Sequence, residues 1–274
     1  MAVDTISENL IAKEDALKRR LRDYGAIAVA YSGGVDSAYL AAMAHEALGD
    51  KAHMVLADSP SIPRFEVAQA LALAKARGWR LTLIGTQEFD NEEYLKNDGR
   101  RCYFCKSELF TKMDAFAKGH GLRVLAYGEN ADDGLDPTRL GAKAAREHRV
   151  VAPLAELGFR KDDIRALSKH HGLPTWDKPS FACLSSRFPV GDRVDVKAMS
   201  QVEQAEDALR LLGFRQYRAR HHGDLCRIEI DPADFAKVLD GETRRAIIDA
   251  LTRAGYRHAT LDLAGYRTGS TAGR

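Results

Sequence analysis

Ser32-Gly33-Gly34-Val35-Asp36-Ser37 follows directly on the apolar run Ala26-Ile27-Ala28-Val29-Ala30-Tyr31. A buried strand that runs into a glycine-rich turn and then opens a helix makes a cradle for phosphate. Glycines let the backbone come close to oxyanions, and a helix N-terminus presents unpaired N–H groups with a favourable dipole. The loop lacks the Gly-Lys-Ser/Thr ending of a Walker A loop and the Gly-x-Gly-x-x-Gly spacing of a dinucleotide fold. An ordinary strand-to-helix turn is the alternative reading.

Sulfur is the second chemistry on offer. Cys102-Tyr103-Phe104-Cys105 is a C-x-x-C flanked by Arg100, Arg101 and Lys106. Two thiols so spaced at a helix start can ligate one metal or cluster, and neighbouring cations lower thiolate pKa values. The same motif also reads as a redox pair, half of a zinc site, or two cysteines packing an aromatic-rich turn. No second C-x-x-C and no suitably spaced histidine pair completes a zinc site. Cys183 stands in Trp176-Asp177-Lys178-Pro179-Ser180-Phe181-Ala182-Cys183-Leu184-Ser185-Ser186-Arg187. It is either a packing cysteine or, with Cys102 and Cys105, the third corner of a [4Fe–4S] cluster with one open iron. Cys226 alternates within a strand pattern and is expected in the core. Arg218 and Arg220 share one strand face by the period of two, with Glu229 near them if the strands pair. Two such guanidinium forks suit a phosphate or carboxylate; a solvated strand face is the bland alternative.

The elements that must position these groups alternate. Strands are expected at Ala26–Tyr31, His53–Ala57, Trp79–Ile84, Arg123–Tyr127 and Val150–Ala152. Helices are expected near Ser37–Leu48, Pro63–Arg77, Phe104–Lys118 and Lys161–His170. Strands at such intervals with intervening helices give a parallel, doubly wound α/β sheet, in which ligands bind beyond the carboxyl ends of the strands. Three segments fall there: Ser32–Ser37, Ala57-Asp58-Ser59, and Tyr127-Gly128-Glu129-Asn130-Ala131-Asp132-Asp133. Taken singly, Ser59, Ser61, Asn130, Asp132 and Asp133 read as ordinary turn and cap residues, while their joint placement beside a phosphate loop favours a functional role. An opening helix carries Leu10, Leu17, Leu21 and Tyr24, with Thr5-x-x-Glu8 as a capping box. The organisation expected is residues 1–173 as a phosphate-binding α/β domain, 174–194 as a cysteine-bearing connection, and 195–274 as a small α+β domain in the order α-β-β-α-α-β.

Composition bounds the rest. The 274 residues are 45% hydrophobic and 29% charged, enough for a real core. No run approaches the ~20 apolar residues of a membrane span. Asp4, Glu8, Lys13, Glu14 and Asp15 interrupt any signal-like pattern, so a cytoplasmic protein is expected. Four cysteines then point to thiol or metal chemistry and not to structural disulfides. A net charge of +2 gives no basis for general nucleic-acid binding.

The sequence S-G-G-V-D-S resembles the PP-loop of enzymes that adenylate a substrate with ATP and release pyrophosphate. Joined with Asn130-Ala131-Asp132-Asp133, Trp176-Asp177-Lys178-Pro179, Ala182-Cys183-Leu184, Arg218, Arg220 and Leu261-Asp262-Leu263-x-Gly265-Tyr266-Arg267-x-Gly269-Ser270, it resembles the LarE sulfur transferases over nearly the whole chain. These act in making a nickel-pincer nucleotide cofactor.

The resemblance implies that ATP adenylates a carboxylate of pyridinium-3,5-biscarboxylic acid mononucleotide and that sulfur displaces AMP to leave a thiocarboxylate. It implies ATP contacts from Ser32, Gly33, Gly34, Val35, Asp36, Ser37, Ala57, Asp58, Ser59, Gly128, Asn130 and Asp132. Asp36 would hold Mg²⁺, and Asp36, Ser37 and Cys183 would serve the chemistry. Ser186, Arg187, Arg218 and Arg220 would hold the substrate phosphate, with Glu229 a further candidate metal ligand. Family members supply sulfur in two ways: a cysteine equivalent to Cys183 gives up its own, or three cysteines carry a [4Fe–4S] cluster. Cys102 and Cys105 favour the cluster here. A sulfide or other sulfur donor and a homo-oligomer are also implied. Another PP-loop enzyme, such as a tRNA thiolase or amide-forming synthetase, and a non-catalytic nucleotide-binding or iron–sulfur regulatory protein are the alternatives.

Overall fold

The computed structural model describes residues 6–133, 140–179 and 182–267. They form two compact units, one of residues 6–59, 64–88, 102–133 and 140–179, the other of 60–63, 89–101 and 182–267.

The first unit is built on a parallel sheet of β1 (Ile27–Ala30), β2 (Ala52–Asp58), β3 (Leu81–Gly85) and β4 (Val124–Tyr127), in the order β3-β2-β1-β4. β1 and most of β2 are buried, as continuous apolar runs in a covered parallel sheet should be. β1 pairs Ile27 with Ala52 on one side and with Val124 on the other, so the chain reverses its direction of travel across the sheet at β1 and β4. α2 (Val35–Leu48) is apolar nearly all round and lies buried between α1 (Glu8–Tyr24) and α8 (Lys161–His170). Glu14 of α1 ties the three together: it accepts from Tyr39 Oη at 2.9 Å and Lys18 Nζ at 2.8 Å, and bonds His171 Nε2 at 2.7 Å. α5 (Arg101–Gly119) turns Phe110, Met113 and Ala117 onto Ala28, Val55, Leu125 and Tyr127. α3 (Arg64–Ala76) connects β2 to β3.

Some local expectations change. The cap of α1 is Ser7, whose side chain accepts from Leu10 N, while Thr5 lies outside the described residues. Val150–Ala152 makes a single bridge, Val151 to Ala126, and no full strand. Pro153 follows, which has no N–H to extend a ladder and instead opens α7 (Pro153–Glu156). The short helices α4 (Glu92–Leu95) and α6 (Leu140–Glu147) had no sequence signal.

From Val196 to Leu261 the second unit follows the expected element order, and it also takes in α4 and residues 60–63 from earlier in the chain. α9 (Val196–Leu211) is capped by Asp195, which accepts from Ala198 N. β5 (Tyr217–His222) and β6 (Leu225–Ile230) pair antiparallel, α10 (Phe235–Leu239) and α11 (Gly241–Arg253) follow, and β7 (His258–Leu261) pairs parallel to β6. α9 packs on β5, and α11 packs on α9.

Candidate nucleotide and sulfur-transfer sites

The glycine loop leaves β1 at Tyr31, which is buried and donates from its hydroxyl to Ala70 O at 3.2 Å. Hydroxyls brace the loop from within. Ser37 Oγ accepts from Ser32 N at 3.1 Å, donates to Gly34 O at 3.2 Å, and lies 3.0 Å from Ser32 Oγ. Gly33 has φ +73°, and a Cβ there would fall 2.8 Å from Ala70 Cβ. Lys178 Nζ donates to Gly33 O at 3.2 Å and pairs with the buried carboxylate of Glu66. Lys178 is itself held by Arg165, which donates to the carbonyls of Trp176 and Lys178 at 2.7 and 2.9 Å.

The exit of β4 lies against this loop. A Cβ on Gly128 would sit 2.7 Å from Ser37 N and 2.9 Å from Ser37 Cα, so only glycine allows the approach. Beyond it, Asn130 is buried and folds an Asx turn, its Oδ1 accepting from Asp132 N at 2.9 Å and Asp133 N at 3.2 Å. Its Nδ2 donates to Asp133 Oδ2 at 2.9 Å and to Asp36 Oδ2 at 3.2 Å. Lys161 Nζ lies 2.6 Å from the same Asp36 oxygen, and its backbone N–H donates to Asp132 Oδ2 at 2.8 Å. Asp36 Oδ1 is buried and accepts no hydrogen bond among the described residues.

The first unit thus gathers Ser32, Gly33, Gly34, Val35, Asp36, Ser37, Gly128, Asn130 and Asp132 where the chain reverses across the sheet. That is the place where open α/β sheets bind ligands. Ala57, Asp58 and Ser59 end the neighbouring strand β2; Asp58 pairs with Arg64 and Ser59 donates to Glu88. Lys161 and Lys178 were not among the expected site residues. Each meets the loop from more than a hundred positions away; Lys178 stands in the Trp176-Asp177-Lys178-Pro179 stretch, which gave no role for it, and no local pattern marks Lys161.

No disulfide joins any of the four cysteines. Cys102 and Cys105 lie in the first turns of α5, one exposed and the other half-buried, and their spacing puts both on one helix face. Among the described residues, no three histidine, cysteine or acidic side chains form a metal-binding group.

Half-buried Cys183 belongs to the second unit and caps the 3₁₀ turn Leu184–Arg187. Arg187 is completely buried. Its Nη1 donates to Ala182 O, Cys183 O and Ser186 Oγ at 2.6, 2.9 and 2.9 Å, while Nε and Nη2 each meet a Glu206 oxygen at 2.8 Å. Arg220 donates to Ser186 O and to Glu229 Oε2, both at 2.8 Å. Arg227 Nη1 lies 3.2 Å from the other Glu229 oxygen. Arg218 stands opposite Glu229 in the strand register and lies 4.9 Å from the Tyr266 ring centre. Arg218 and Arg220 are each 4% exposed, so their strand face is not solvated. Burial, then the charge of Arg187, holds the Arg218 guanidinium below its ordinary pKa. Cys226 is a core residue whose thiol burial pushes up to about 12.

The sheet, the glycine loop and the β4 exit together define an α/β protein of the PP-loop class. No protein-family model matches the chain. It is 30% identical over 194 residues to a GMP synthase of Leifsonia xyli, spanning 39% of that protein. It is 38% identical over 260 residues to an uncharacterized protein of Synechocystis, covering 95% of this chain and 97% of that one. Identity to the pyridinium-3,5-bisthiocarboxylic acid mononucleotide synthase of Lactiplantibacillus plantarum is 34% over 265 residues, 95% of this chain and 94% of that protein. The chain belongs to the family of that synthase, the LarE family. Among the described residues, no helix is long and apolar enough to cross a membrane.

Proposed function

We propose that the protein uses ATP to adenylate a carboxylate of pyridinium-3,5-biscarboxylic acid mononucleotide and then replaces AMP with sulfur, giving a thiocarboxylate. The observation that carries this reading is the braced glycine loop with Asp36 at the reversal of the sheet, in a chain alike over its length to a synthase of the bisthiocarboxylic acid mononucleotide.

A carboxylate is a poor electrophile, and adenylation turns its oxygen into a good leaving group. Loop amides from Gly33 to Ser37 face the phosphates and offset charge on the departing pyrophosphate. Ser37 acts as the brace that shapes them. Asp36 presents a buried oxygen that accepts no hydrogen bond among the described residues, a hard donor suited to Mg²⁺, which when bound would screen the phosphate charge. Arg218 and Arg220 grip the substrate phosphate, with Ser186 and Arg187 shaping the same corner and Glu229 orienting Arg220.

For the sulfur, Cys102, Cys105 and Cys183 are the donor set. Three thiols are the ligand count that suits a [4Fe–4S] cluster with one open iron. A [4Fe–4S] cluster there would supply an open iron able to carry an exchangeable sulfide. The protein then works as a catalyst and draws on an external sulfide or sulfur donor.

The test is pyrophosphate release from ATP with the bis-carboxylate mononucleotide and, separately, with bulk tRNA, alongside iron and acid-labile sulfide content of anaerobic protein. Release with the mononucleotide alone, plus iron and sulfide, is expected. Release with tRNA alone refutes the substrate. Iron-free protein that still transfers sulfur refutes the cluster and leaves Cys183 as the donor of its own sulfur.

A further inference from the structure

We infer that the turn at 262–266 sets the two guanidiniums of the substrate-phosphate corner, Tyr266 acting on Arg218 and Asp262 on Arg220. Both are positioning residues that work through the arginines. The inference rests on the reading of Arg218 and Arg220 as the phosphate grip, and all of these residues belong to the second unit.

The turn is pinned to the central strand of its sheet, β6, which lies between β5 and β7. After β7 ends at Leu261, Asp262 N donates to Ile228 O at 2.8 Å, Gly265 N to Asp262 O at 3.0 Å, and Tyr266 N to Ile230 O at 2.7 Å. Asp262 Oδ1 accepts from Ala264 N at 2.9 Å and closes an Asx turn. These bonds fix where Tyr266 leaves the backbone. Its half-buried ring centre lies 4.9 Å from Arg218 Cζ, and its hydroxyl lies 3.4 Å from Arg218 Nη2. A guanidinium stacked on a ring presents its N–H groups at the edge of its plane, where a phosphate can take two at once. The stack also holds one rotamer of a long side chain, and its attraction grows when the pair is desolvated, as buried Arg218 is.

Asp262 works through charge. In the strand register Arg220 stands directly opposite Arg227, a repulsive pairing of like charges. Glu229, completely buried, divides them: Oε2 accepts from Arg220 Nη2 at 2.8 Å, and Oε1 lies 3.2 Å from Arg227 Nη1. Asp262 Oδ2 pairs with the same Arg227 Nη1. Arg227 thus has a counter-charge of its own, and Glu229 is left to Arg220. Without that charge Arg227 draws Glu229 to itself, and Arg220 loses the partner that aims it while its Nη1 bonds Ser186 O at 2.8 Å.

The full-length protein is titrated by calorimetry with the bis-carboxylate mononucleotide and with its dephosphorylated nucleoside, and the ratio of the two affinities isolates the phosphate. Tyr266→Leu is expected to lower that ratio by about 10-fold, within the range of a desolvated cation–π contact, and Tyr266→Phe, which keeps the ring, is expected to retain it. Asp262→Asn keeps the acceptor of the turn without its charge and is expected to lower the ratio by about 3- to 5-fold, the scale of a partly exposed ion pair. Nucleoside affinity and the KM for ATP are expected to hold in all three variants. A purely structural role would instead lower those two and leave the ratio alone. A wild-type ratio in Tyr266→Leu or in Asp262→Asn, or a ratio in Tyr266→Phe as low as in Tyr266→Leu, overturns the inference. Wild-type protein that binds the nucleoside as tightly as the mononucleotide overturns the reading of Arg218 and Arg220 as the phosphate grip.

Discussion

Replacing Gly128 by alanine tests the approach of the β4 exit to the first turn of α2. The new Cβ would lie 2.7 Å from Ser37 N and 2.9 Å from Ser37 Cα, and both are backbone atoms that no rotamer change can move. Ordinary contact begins at 3.4 Å, so the strand exit must retreat by about 0.7 Å. Overpacking of this kind costs about 1–3 kcal/mol of stability. The displaced atoms belong to the turn proposed to present amides to phosphate, and misplacement on the scale of 1 Å costs about 100-fold in a positioned reaction. Gly128→Ala should therefore unfold at lower urea and bind ATP about tenfold more weakly by calorimetry, with a larger loss in pyrophosphate release. Gly119→Ala, where a Cβ meets nothing within 4 Å, is the control. If Gly128→Ala matches the wild type in both urea midpoint and ATP affinity, the argument from backbone proximity is refuted.

Arg187→Ala leaves Glu206 buried without its paired cation, and such a break costs about 3–5 kcal/mol; urea denaturation showing less than about 1 kcal/mol would contradict this. Glu14 gives a pH dependence. Burial raises its carboxyl pKa, but bonds from His171 and Lys18 outweigh that and hold it at about 2, against an ordinary 4.5. Because the folded value is depressed, this stability is present above pH 4.5 and is lost as the pH falls through about 2. Glu14→Gln should flatten the stability profile over that window, and equal slopes in both proteins would count against the network. The cluster proposed above predicts broad visible absorbance in anaerobically prepared protein, lost in Cys102→Ser and kept in Cys226→Ala; the reverse pattern would remove α5 from the proposal.

Much of the frame was legible because local signals agreed with the tertiary outcome. The helix expected at Lys161–His170 is α8, and the alternation around Cys226 falls in β6. The continuous apolar run before Ser32 marks a doubly covered strand, which is what β1 is. The site was half legible. Period two puts Arg218 and Arg220 on one face, but that Arg220 is buried and held by Ser186 O, from another element, exists only in the fold. Gly128 is visible at a strand end, while the reason for glycine there exists only once α2 lies beside it. Lys161 reaches Asp36 across a separation of 125 positions, and that contact is made by the sheet's reversal and by no local spacing.

The second unit is assembled from separated stretches, and this shapes how the molecule can be made or cut. Its residues 60–63 and 89–101 are synthesised long before the rest of it, yet Ser61 O waits for Leu184 N, Leu95 O for Val194 N, and Asn97 for the carbonyls of Pro189 and Asp192. On the ribosome those early stretches must stay uncommitted until the late third of the polypeptide emerges. Truncation after residue 181 would strand them in the same way, so limited proteolysis should not release either unit as an intact, soluble fragment.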